Sequence, residues 1–218
     1  MALLPFMKRR GEPKPEPAPP PSEPLPVEES ELEAMKRRLA LHRKIIERYR
    51  DIIETSEDKS VTELRSLINP ENSAVAGVRD LINSKFRPYL YDRDFPKAAQ
   101  LAYSYCHDEI KNEFLPVDFW LTPEDIVELK AADEMDKAIF LCSLLIALEN
   151  QTAKVVVETE GRKRHAYVTF EYDDTFYLMD PAHSVNASGK KDDVISEQIT
   201  DAERKLIYEF NNLEYNEW

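Results

Sequence analysis

Between Ala131 and Asn150 the chain reads AADEMDKAIFLCSLLIALEN, and from Ala138 to Leu148 only Ser143 is polar. A helix of this composition has no face for water, so it must be covered on nearly all sides and serve as the central helix of a mixed domain. Its start is well marked. Asp133 is placed to cap the first turn, Asp136 follows three residues on, and both favour the positive end of the helix dipole. Glu134 then lies in the first turn, so whatever chemistry the central helix presents begins with an acid.

Beyond this helix the hydrophobic period changes from helical to two. Ala153 to Thr159 is valine-rich, Glu160-Gly161 reads as a turn, Arg164 to Tyr172 as a second strand, Asp173-Asp174 as a turn, and Thr175 to Asp180 as a third strand. The expected product is an antiparallel meander. Across an antiparallel pair joined by a two-residue loop, opposed residues have numbers that sum to an odd constant, so His165 and Asp180 share a face. A loop of Asp173-Asp174 places them diagonally, within reach of longer side chains. An imidazole beside a carboxylate is a frequent catalytic couple, because the acid fixes the tautomer and stabilises the imidazolium; it is also frequent without catalysis.

Upstream, Thr122-Pro123-Glu124-Asp125 has the chemistry of a helix start, with Trp120 just before it. SVTELRSLINP and SAVAGVRDLINSKF read as two short helices, and Phe95 to Phe114 as a third. The Cys106-His107 pair within that third helix is not expected to act together, since neighbours on a helix point about 100° apart.

The N-terminal part has another character. Nine of the 15 prolines fall between Pro5 and Pro26, which marks residues 1–28 as a disordered tail. Over 29–60, Leu32, Leu39, Ile46 and Ile53 repeat every seven residues with Met35, His42 and Tyr49 between them, a long amphipathic helix. It is expected either to pack on the chain's own domain or to form a homodimer through residues 29–56. The domain itself is then 61–218. The net charge of -13 belongs to that region, because charges cancel before it, and such a field argues against broad nucleic-acid binding. No apolar run reaches the length of a membrane span or signal core. Together with two cysteines in helical segments, this leads to a cytoplasmic expectation.

The run FWLTPEDIVELKAADEMDKAIFLCSLLIAL, then RHAYV, then YLMDPAH, resembles the transglutaminase-like family of the papain-like cysteine enzymes. The resemblance covers roughly 60 residues. It implies an α+β core in which a buried helix packs on an antiparallel sheet and the helix start carries a cysteine thiolate facing a histidine and an aspartate on adjacent strands. His165 and Asp180 match the second and third members. The first is replaced: Glu134 stands where the nucleophilic cysteine belongs, and Ala132 where glycine is usual. Cys142 cannot substitute, because eight helical residues carry it about 12 Å along the axis.

A carboxylate at this helix start keeps the anion that a thiolate would supply, so Glu134, His165 and Asp180 can form a degenerate triad that retains its central cation without acyl transfer. The expected function is that of an inactive domain binding a protein or peptide, with Trp120, Asp133 and His183 beside the site. An enzyme of altered chemistry using Glu134, His165 and Asp180, or an adaptor assembling through the N-terminal helix, are the alternatives. No cofactor is expected. Oxygen and imidazole ligands at Glu134, His165, Asp180 and His183 suit several divalent ions, but their spacing is not diagnostic, and no metal site is expected on sequence grounds.

Overall fold

A computed structural model of the chain describes residues 31–55, 61–114, 120–161, 163–199 and 205–217. The proposed tail over 1–28 lies outside them. Chain contacts divide the molecule between Arg37 and Arg38, and the larger unit, Arg38–Trp218, holds everything described below except the first turns of α1.

The central helix, α6, runs Glu134–Ala147, and every residue from Asp136 to Ile146 is buried. It starts three residues later than the apolar pattern begins, because Ala131–Ala132 form a short strand, β2, instead. That strand lies parallel to β1 (Lys111–Asn112), with Lys111 donating to the Lys130 carbonyl and Glu113 to that of Ala132. The miniature ladder anchors the backbone immediately before the α6 cap. α6 packs chiefly on β4 and on β3, and is flanked by α3 (Ser73–Asn83) and α4 (Tyr91–Ser104).

The sheet has the order β6-β5-β4-β3-β7-β8, formed by Val185–Gly189, Thr175–Asp180, Lys163–Tyr172, Lys154–Glu160, Leu206–Phe210 and Tyr215–Glu217. All of its pairings are antiparallel. The three-stranded meander read from the sequence is its centre. Asp173 and Asp174 both have positive φ, at 50° and 54°, as a two-residue turn matched to strand twist demands. Alternation then sorts the strand residues onto two faces. Val155, Val157, Ala166, Val168, Phe170 and Met179 join α6 in the main core. Val156, Tyr167, Phe176, Leu178 and Ile207 form a second cluster, closed by Val194 of α7 (Lys191–Gln198) and by Ile199. The fold class is α+β, a central buried helix on an antiparallel sheet.

Two helical expectations change in detail. The segment expected as a helix from Phe95 to Phe114 begins at Tyr91, with Pro96 inside the helix, passes at Tyr105 into a π-helical turn, and stops at Glu109. Pro96, the sixth residue of α4, removes the amide that would bond the Asp92 carbonyl, and that carbonyl accepts the Tyr172 hydroxyl at 2.7 Å instead. The second concerns α1, a single helix from Glu31 to Thr55. Among the side chains of α1 that the structure describes, the buried ones are Ile45 and Tyr49, at 3% and 7% exposure, while the heptad positions Leu39 and Ile46 are 64% and 50% exposed. Tyr49 accepts a hydrogen bond from the Thr122 amide at 3.4 Å, Arg48 pairs with the buried Asp125, and Arg38 bonds Glu113 at 2.9 Å. From Arg38 onward, then, the helix packs within the larger unit through a face that keeps Tyr49 of the heptad pattern and takes Ile45 in place of Ile46. No described helix is long and apolar enough to cross a membrane.

The two faces of α1 should differ in their effect on stability. Ile45→Ala is expected to cost about 2–4 kcal/mol in chemical denaturation, as for other buried aliphatic truncations, whereas Leu39→Ala should stay within about 0.5 kcal/mol. Equal effects would show that the packed face is misassigned.

Candidate functional site

The site forms where the first turn of α6 meets the end of β4. Asp133 is the N-cap of α6, accepting from the Asp136 amide at 2.8 Å, half of a capping box. Asp136 is itself buried, and the Leu121 amide donates to both its oxygens at 3.3 Å. Burial, reinforced by Asp133, pushes the Asp136 carboxyl well above the usual carboxylate range. This contact ties the segment carrying Trp120, which is half-buried against the main core, to the helix start. Next to it, Thr122 caps α5 (Pro123–Leu129). Asp133, occupied as a cap, directly precedes Glu134, and Trp120 directly precedes the residue whose amide bonds Asp136.

Glu134 reaches from the helix to the sheet. Its Oε1 accepts from the Ala166 amide at 2.6 Å and from Nδ1 of His165. The ladder between β4 and β5 ends at the pair Val168–Met179, so the Ala166 amide lies past the last strand partner and the carboxylate supplies the missing acceptor. Continuing that register sets Asp180 opposite Tyr167 and diagonal to His165. Nε2 of His165 is 3.3 Å from Oδ2 of Asp180. The same oxygen is 3.1 Å from Nδ1 of His183, and Oδ1 accepts the amides of Ala182 and His183 at 2.8 and 3.0 Å. Asp180, only 1% exposed, therefore accepts three hydrogen bonds and lies in ion-pair contact with His165. His183 is exposed, and its ring meets that of His165 edge to face at 5.0 Å.

His165 has a carboxylate at each ring nitrogen, hydrogen-bonded at Nδ1 and in ion-pair contact at Nε2, an arrangement that favours its charged form. The hydrogen bond to Glu134 raises its pKa above the ordinary 6.5, against the opposing effect of burial and with help from the charges of Glu134, Asp180 and Glu158. Burial alone would raise the Glu134 carboxyl, but the His165 and Ala166 hydrogen bonds outweigh it and hold it below its ordinary 4.5. The two shifts have the signs of one ion pair.

Sequence reasoning missed Lys137. One turn into α6 and only 2% exposed, it donates from Nζ to the Pro181 carbonyl at 3.3 Å and so supports the turn that carries Asp180 and His183. Burial lowers its pKa, opposed by Cys106, Asp180 and Asp108. The available signal was a lysine opening an otherwise apolar helix. Both thiols are fully buried, and burial raises each above its ordinary pKa. Cys106 and His107 diverge as expected: the sulfur sits in the core, while the imidazole bonds Ser184 and Asp108 at 2.6 and 2.7 Å.

A search with protein-family models and a search of curated proteins each return no match. Among solved structures the chain is similar to LapG of Legionella pneumophila. The calcium-bound form gives a TM-score of 0.44 at 15% identity over 78% of this chain and 86% of that one. A second LapG structure gives 0.45 at 16% over 73% and 88%. We assign no residue role from these likenesses.

The ion pair sets a pH window. His165, with its pKa raised, contributes stability that is fully present below about 6.5 and is lost as pH rises through the folded value. Glu134, with its pKa lowered, contributes stability present above its ordinary value of 4.5 and lost as pH falls through the folded one. The pair should be strongest between these limits. NMR titration is expected to place His165 above 6.5 in the native chain and lower in Glu134→Gln; a pKa unmoved by that substitution would show that the side chains do not meet.

Proposed function

We propose that the chain is a transglutaminase-like domain whose nucleophile position is held by Glu134, and that it binds a protein or peptide rather than transferring acyl groups. The observation that carries this is the double engagement of Glu134 Oε1 by His165 and the Ala166 amide. A nucleophile must have a free lone pair aimed at substrate, and its base must be able to take a proton. Here Oε1 of the acid is engaged in holding helix to strand, and the same carboxylate raises the pKa of the imidazole that would have to act as base. No replacement thiol is near, since both cysteines lie in the core. The binding half of the reading is supported by the half-buried Trp120 beside an anionic helix start and an exposed His183, a combination of flat apolar surface and polar anchors that suits a peptide.

The test is direct. Incubation with a glutamine peptide and a primary amine should yield no isopeptide product, and alkylation of native protein by iodoacetamide should be slow at both buried thiols. Transamidation or proteolysis abolished by alkylating a cysteine would overturn the proposal. Glu134→Cys is expected to remain inactive, because Ala132, 1% exposed, also departs from the family's glycine and alters the backbone from which an oxyanion would be stabilised.

A further inference from the structure

Glu134, His165 and His183 each offer one ligand atom lying within 4.8 Å of the others. Their presentation is imposed from behind. Asp180 gives Oδ2 to Nε2 of His165 and to Nδ1 of His183, while its Oδ1 is held by two backbone amides. With those ring nitrogens committed, the ones left are Nδ1 of His165, which already faces Glu134, and Nε2 of His183. Two imidazole nitrogens and a carboxylate oxygen form a donor set suited to zinc and its neighbours. An outer carboxylate bonded to the far nitrogen of each ligand ring is the usual support of such sites.

We propose that Glu134, His165 and His183 bind one divalent ion of the zinc class, with Asp180 as the positioning residue for both imidazoles. Ligand atoms about 2.0–2.1 Å from a tetrahedral ion sit roughly 3.3 Å apart. Rotation of His183, 52% exposed at its side chain, brings its Nε2 toward that spacing. The contact of Glu134 with His165 opens correspondingly, the ion taking the place of the proton on Nδ1 and that proton passing to solvent. Three protein ligands leave a fourth position on the exposed His183 side, where water or a peptide carboxylate or carbonyl can enter. The inference rests on the preceding reading only in treating Glu134 as the site's resident anion, and the two can fail separately, because thiol chemistry is read by alkylation and the ion by stoichiometry.

The full chain, carrying no affinity histidines and stripped with EDTA, is titrated with Zn2+ by calorimetry and with Co2+ by visible absorption. One equivalent of Zn2+ should bind, and Co2+ should develop the intense visible bands of a low-coordinate nitrogen and oxygen site. His183→Ala, at an exposed position, should weaken Zn2+ at least tenfold, and Asp180→Asn by about 10–100-fold, with unchanged circular dichroism. His42→Ala, at the α1 histidine, should change nothing. Absence of stoichiometric Zn2+ binding, or binding by His183→Ala equal to that of the unaltered chain, overturns the proposal.

Discussion

The first turn of α6 is joined to the sheet by one carboxylate, and the polar half of the molecule depends on it. Glu134 sits where the dipole of a long buried helix favours negative charge, and it spends that charge on a strand amide and a protonated ring. Without it the Ala166 amide would lie beyond the end of the β4–β5 ladder with no acceptor, and the imidazolium would lose one of two counter-charges. Leaving a buried donor unpaired costs about 1–3 kcal/mol, more when charge is involved. Asp180 poses the same problem from the other side, a carboxylate only 1% exposed. It is tolerable because two ring nitrogens and two amides surround it. The arrangement is a relay of alternating charge from Glu134 through His165 to Asp180, with the second imidazole, His183, closing it toward solvent.

What positions this relay is partly far from it. The β1–β2 ladder fixes the backbone before Asp133, and Asp136 pins the Trp120 segment through the Leu121 amide. Lys137 reaches across to the carbonyl of Pro181. Within little more than one helical turn, beside the cap at Asp133, Asp136 and Lys137 thus hold two different loops against one helix end. A long apolar helix is a stiff lever for this purpose, since its interior cannot shift without opening close-packed core.

Much of this was legible in sequence because it follows from local rules. The cap at Asp133, the Thr122-Pro123 helix start, the Asp173-Asp174 turn and the diagonal placement of His165 against Asp180 all come from periodicity and turn chemistry. What escaped depends on tertiary context. β6 reads VNASG and β8 reads YNE, too polar and too short to announce themselves; they exist because β5 and β7 offer edges to pair with. On α1 the packed face keeps the heptad position Tyr49 and takes Ile45 in place of its equally apolar neighbour Ile46, a choice that only the partner surface at Thr122 and Asp125 decides. Lys137 could not be placed inside by composition, since lysine is rarely buried unless something receives its ammonium group. Its acceptor, a carbonyl 44 residues away, has no local trace. The three hydrogen bonds that Asp180 accepts are similarly a product of the tight turn after β5, which brings His183 back over the strand end.

Replacing a cysteine by glutamate at such a helix start changes the balance of charge more than the shape. In the family that this chain resembles, a thiol becomes a nucleophile only when imidazole and helix dipole together draw off its proton, so the pair is poised between two states. A carboxylate is ionised without help. With Glu134 lowered in pKa and His165 raised, the pair favours its charged form, the acid becoming a poorer base and the ring a poorer acid. An electrostatically satisfied cluster of this kind is stabilised by that separation of charge. What it retains is affinity for positive charge between the two carboxylates, and the occupant of that position is a proton only so long as nothing with a higher charge and a demand for nitrogen ligands competes for it.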